Sequence, residues 1–161
     1  MLLHNRGDAS FENVTAAAGL GSAAFPHVKW GTGLVDFDND GDVDIVILNQ
    51  NAPPTIIKNI LNERGSKNHW LQIRLRGVKS NRDGVGARVR VAAGNRVLVD
   101  EVHGGRGYQS HYGSRLHFGL GRRDKVDRIE VRWIGGGTDV LENVAADRLL
   151  TITEASGEPG P

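Results

Sequence analysis

The 161 residues hold 20 basic and 19 acidic side chains, 22 glycines and no cysteine, which excludes a disulfide framework and a thiolate metal site and leaves the redox compartment open. No apolar run approaches the roughly 20 residues of a membrane-spanning helix, so no membrane insertion is expected. The net charge of +1 hides three unequal blocks: residues 1–63 carry 3 basic and 8 acidic side chains (−5), residues 64–132 carry 16 and 6 (+10), and residues 133–161 carry 1 and 5 (−4).

This length suits one ordinary domain or two small ones with a buried core. Abundant glycine without alanine- or leucine-rich helical periods favours an all-β, turn-dense chain. The first eight residues hold no apolar h-region and read as no signal peptide. Leu2-Leu3-His4-Asn5 and Ile56-Ile57-Lys58-Asn59 repeat one another 54 residues apart, near the period of roughly 40–50 residues of a β-propeller blade. Residues 1–59 therefore read as about one blade. A propeller needs at least about four to close, which points to a piece of something longer. Arg6-Gly7-Asp8 spells an integrin-recognition tripeptide, yet Asn5–Asp8 has the composition of a turn between two strands, and the turn is the preferred reading.

Asp36-Phe37-Asp38-Asn39-Asp40-Gly41-Asp42-Val43-Asp44 places five aspartates within nine residues. Calcium takes six to eight oxygens, and a short loop supplies them by presenting alternate side chains around a sharp turn. Counted from Asp36, carboxylates fall at positions 1, 3, 5 and 9 with Gly41 at position 6. Starting instead from Asp38 puts Val43 where the turn needs glycine. Asp42, at position 7, is expected to offer its backbone carbonyl and leave its side chain in water. An EF-hand is ruled out by Ile47 at position 12 and by flanks, Gly33-Leu34-Val35 and Ile45-Val46-Ile47-Leu48, that favour strands. The reading is a strand–calcium loop–strand hairpin with Asp36, Asp38, Asp40, Asp42 and Asp44 as metal residues. Without a cation, carboxylates packed this closely repel.

Polar residues Asn62–Asn68 mark a boundary, dividing the chain into modules at 1–62 and 63–155 with a disordered tail at 156–161. Beyond the boundary the period becomes two. Leu71, Ile73 and Leu75 alternate with Gln72, Arg74 and Arg76; Val85–Val91 and Ile129–Trp133 alternate likewise; Arg96–Val102, Leu116–Leu120, Thr138–Leu141 and Leu149–Thr153 are further strands. A small antiparallel β-sandwich or barrel is expected. Asp83-Gly84 reads as a hairpin-type turn, with Gly86 allowing close backbone approach.

If Arg74 and Arg76 lie beside Arg88 and Arg90, all four point out from one face and can bind sulfated or phosphorylated polymers. Arg106 and Tyr108, in the Gly104–His111 loop, offer a guanidinium and an aromatic face to a glycan. His103, His111 and His117 match no zinc spacing. No nucleic-acid signature interleaves aromatics with the charges. No Gly-x-Ser-x-Gly elbow, His-Glu-x-x-His or cysteine nucleophile is present, so no enzyme is expected.

The segment Asn68–Glu154, with NHWLQIRL, KSNRDGVGARVRV, GGRGYQS, LHFGLG, KVDRIEVRW and LENVAADRLLTITE, resembles the ASPIC/UnbV domain, and DFDNDGDVDIVILN resembles an FG-GAP (VCBS-type) repeat. The fold is then a partial propeller blade followed by the β-domain. The resemblance implies a non-catalytic extracellular, periplasmic or cell-surface module that binds calcium for adhesion or ligand binding, with a protein or glycan partner. The other readings are a glycan- or polyanion-binding domain, and an accessory enzyme of a biosynthetic pathway.

Overall fold

The computed structural model describes residues 1–23, 28–107, 111–155 and 159–160. It is all-β but for one helical turn, α1 (Leu20–Ala23). None of its sheets closes into a barrel. Two four-stranded sheets form a sandwich. One has the order β11-β10-β7-β8, with β7 Arg88–Ala93, β8 Arg96–Glu101, β10 Lys125–Arg132 and β11 Thr138–Ala145. The other has the order β13-β12-β6-β9, with β6 His69–Arg76, β9 Leu116–Gly121, β12 Arg148–Thr153 and β13 Pro159–Gly160. Every pairing is antiparallel except β6 with β12, which run parallel from Arg148↔Leu71 to Thr153↔Arg76.

The alternation read from the sequence becomes the core. Leu71, Ile73 and Leu75 of β6 meet Val89 and Val91 of β7 and Ile129 and Val131 of β10, in one buried cluster to which Phe118, Leu150 and Ile152 also belong. Pleating sends every second side chain inward, so two facing sheets with this period seal a dry interior. Trp133 closes one end: its indole N–H donates to Asp139 Oδ2 at 2.7 Å, and the same oxygen accepts the Ala155 amide at 2.9 Å.

The chain before the sandwich makes two smaller sheets, not a single four-stranded blade. β1 (Leu3–Asn5) and β2 (Phe11–Asn13) form a ribbon, while β3 (Lys29–Val35), β4 (Asp44–Asn49) and β5 (Thr55–Ile57) form a three-stranded meander. Arg6-Gly7-Asp8 is the turn between β1 and β2. Arg6 pairs with Glu12 at 2.8 Å, and Asp8 accepts the Ser10 amide at 3.0 Å. This first module keeps little apolar surface from water. Ile47 is its one buried large hydrophobic among the described residues, whereas Phe11, Leu34, Phe37 and Ile56 are exposed.

Two expectations are corrected. Residues 77–87 do not make a hairpin joining β6 to β7; they cross from one sheet to the other. Gly84 (φ 67°) adopts the left-handed backbone there, and a Cβ on it would lie 2.7 Å from Leu75 Cβ. Arg74 and Arg76 of β6 thus sit on the sheet opposite to Arg88 and Arg90 of β7, and the four form no common stripe. Period-two alternation specifies which way side chains point and is silent on which strands pair. Of the C-terminal tail, Pro159 and Gly160 pair with β12.

Candidate metal centre

The aspartate loop joins β3 to β4, whose register runs from Lys29↔Asn49 to Val35↔Asp44 with a bulge between Lys29 and Gly31. Two left-handed residues turn the loop, Asn39 (φ 61°) and Gly41 (φ 92°). The backbone then folds back on its own carboxylates. Asp36 Oδ2 accepts the Gly41 amide at 3.0 Å, Asp38 Oδ1 the Asp40 amide at 3.3 Å, and Asp40 Oδ1 the Asp42 amide at 2.9 Å. Carboxylate oxygens of Asp36, Asp38 and Asp40 consequently lie within 4.8 Å of one another.

Two oxygens in this cluster stand out. Asp36 is only 6% exposed, and its Oδ1 accepts no hydrogen bond; Asp40 Oδ2 accepts none either, with the Lys58 ammonium 3.5 Å away. A buried acceptor without a donor costs about 1–3 kcal/mol. Desolvation raises the Asp36 carboxyl above its ordinary range against the pull of the Gly41 amide. Lys58 reaches in from beyond β5, 2.7 Å from Asp38 Oδ2, and also pairs with Glu63. Hydrogen bonds to Asp38 and Glu63 raise its pKa. The loop therefore already gathers one cation at its rim. An oxygen-only donor set with an orphaned buried lone pair suits a hard divalent ion such as calcium.

The remaining two aspartates do other work in the structure. Asp44 is buried, its Oδ1 accepting the Asn59 amide at 2.8 Å and its Oδ2 the Phe37 amide at 3.1 Å, so it ties the loop's entrance to the end of the meander. Asp42 is not left in water. Its Oδ2 accepts the Asn62 amide at 2.7 Å, because the 60–65 turn returns over the loop, and Asn62 Nδ2 in turn donates to the Asp40 carbonyl at 3.1 Å.

The sequence reading missed how the loop is seated. It rests on the outer face of β6 and β9, where Gln72 Nε2 donates to Asp36 Oδ2 at 2.8 Å. Gln72 is consequently buried although it occupies an outward position of its strand. Arg115 Nη1 donates to Asn39 Oδ1 at 2.8 Å. Trp70 lies under Gly41, with its ring stacked on His117 at 6.0 Å between centroids. Around them a cleft of about 470 Å³ opens between the modules. One signal was available: a glutamine within a run of arginines is the uncharged choice where an outward face is to be covered.

Of the other candidate residues, Arg106 is employed locally. Its guanidinium lies 3.4 Å from Asp100 Oδ2 and 5.7 Å from the centre of the Tyr112 ring. Tyr108 lies outside the described residues. Arg74 and Arg76 are exposed on β6, and Arg88 and Arg90 on β7.

A family model described as "ASPIC and UnbV" matches residues 77–159. Cartilage acidic protein 1 of Mus musculus and of Homo sapiens are each 29% identical over 139 residues, covering 83% of this chain and 21% and 20% of their own lengths. The Xenopus tropicalis protein of that name is 31% identical over 121 residues, covering 72% of this chain and 18% of its own. The chain thus spans about a fifth of the length of these relatives.

Proposed function

We propose that this chain, which belongs to the ASPIC and UnbV family, acts as a non-catalytic extracellular module that binds calcium and presents a surface for adhesion or ligand binding. The observation that carries the calcium reading is Asp36 Oδ1, buried and without a donor, inside a cluster of three carboxylates. Calcium offers that oxygen the partner it lacks. In this reading β3, β4 and β5 are a partial FG-GAP repeat, and the ion clasps its hairpin. Gln72 and Trp70 transmit the clasp to the sandwich, since both contact the loop directly. The extracellular placement rests on relatives named for cartilage.

The test is calcium titrated into chelator-treated protein while melting is followed. Free calcium at a hundred times Kd adds about 2.7 kcal/mol, or roughly 5–11 °C at about 2–4 °C per kcal/mol for a chain this long. The double variant Asp36→Asn, Asp38→Asn is expected to lose the shift. An unchanged melting temperature at millimolar calcium refutes the proposal.

A further inference from the structure

We infer that Arg88, Arg90 and Arg132 form a binding site for a tetrahedral oxyanion, a sulfate or phosphate ester carried on a larger ligand. The register of β7 and β10 sets Arg88 directly opposite Arg132 and Arg90 opposite Glu130. These are the two inner strands of their sheet, so the cations are not edge charges that guard against strand addition. Like charges directly opposed across a sheet destabilise it. The usual remedy is a carboxylate partner, yet among the described residues none of the three guanidiniums makes a hydrogen bond or ion pair. Glu130 lies 3.7 Å from Arg128 instead, and Glu101, opposite Arg88 on β8, forms no ion pair with it.

The three arginines, with Val99 and Glu130, line a cleft of about 250 Å³. A guanidinium is a planar fork whose paired N–H donors match two oxygens of a sulfate or phosphate. Three such forks around one cleft surround an oxyanion with donors and also relieve the repulsion between Arg88 and Arg132. Exposed Val97 and Val99 of β8 add an apolar shelf for the uncharged part of the ligand. The aspartate loop rests on the other sheet, so the site stands or falls independently of calcium.

Calorimetry at low salt tests this with two probes, a heparin-derived tetrasaccharide for sulfate esters and inositol hexakisphosphate for phosphate esters. At least one probe is expected to bind, and the tighter one identifies the ester. Arg132→Gln is expected to weaken it about tenfold, the worth of one charge-assisted pair. The double variant Arg74→Gln, Arg76→Gln, which removes more charge from the opposite sheet, is expected to leave binding within about twofold, as is chelation of calcium. Arg132→Gln is also expected to melt no lower than the parent protein. No binding by either probe overturns the inference, and so does equal weakening by the Arg74/Arg76 variant, which would mean diffuse attraction to positive charge.

Discussion

Gly41→Ala probes the seating of the aspartate loop on the sandwich. Gly41 has φ 92°, and a Cβ built on it would fall inside the van der Waals radii of Trp70 Nε1, Cδ1 and Cε2. The backbone strain costs about 1–2 kcal/mol for an L-residue, and forcing a methyl into rigid ring atoms about 1–3 kcal/mol more. The indole cannot yield freely, because it is stacked on His117. Together, about 2–5 kcal/mol acts on a module whose one buried large hydrophobic among the described residues is Ile47, so the loop is expected to lift off while the sandwich persists. Hydrogen exchange resolves this by region: amides of residues 36–62 lose protection by about thirtyfold to several thousandfold, and those of β10 keep theirs. Gly7→Ala is the matched control, since Gly7 has φ 88° and nothing within 4 Å of its would-be Cβ; it isolates the strain. Adding Trp70→Ala to Gly41→Ala should recover the packing share in a double-mutant cycle. Equal effects of Gly41→Ala and Gly7→Ala, each read around its own site, would refute the reasoning.

Glu154 supplies a pH dependence. Burial pushes its carboxyl up, but the amides of Ser80, Val78 and Lys79 and the Ser80 hydroxyl outweigh this and hold its pKa at about 2, against an ordinary 4.5. A depressed folded pKa contributes stability that is present above pH 4.5 and lost as pH falls through about 2; Glu154→Gln should therefore flatten the acid limb of a stability–pH curve in that window, and an unchanged limb counts against the clamp. Asp44→Asn places an amide NH₂ against the Phe37 or Asn59 N–H and is expected to cost about 1–3 kcal/mol in denaturant melts. Because Asp44 binds backbone amides, the loss should be as large in chelator as in calcium; a loss seen only with calcium would make Asp44 a ligand.

The sequence carried the aspartate loop almost whole, because spacing within nine residues is a local property that a turn cannot hide. It carried the sandwich strands for the same reason: inward Leu71, Ile73 and Leu75 leave a period of two in the chain itself. Strand partners are long-range. Arg74 and Arg88 are 14 residues apart and look like neighbours across a hairpin, yet Arg88 faces Arg132 and Arg74 faces Thr151. The loop's supporting contacts were hidden likewise, since Gln72 meets Asp36 from 36 residues away. Lys58 at the carboxylates and Asn62 on Asp42 belong to a turn that becomes relevant only once β5 brings it back over the loop.

The parallel pairing of β6 with β12 dictates an order of events during synthesis. Leu71 waits for Arg148, so the strand that begins the sandwich has one edge open until almost the whole domain has left the ribosome. Glu154, one residue beyond β12, then fastens the 78–80 loop that follows β6. Pairing across so long a span forms slowly, and until it forms β6 is an unprotected edge able to capture another nascent chain. A ribosome stalled before residue 148 would hold a chain with most of its core residues already made but without Leu150 and Ile152, which complete the cluster, and with one edge of β6 unpaired.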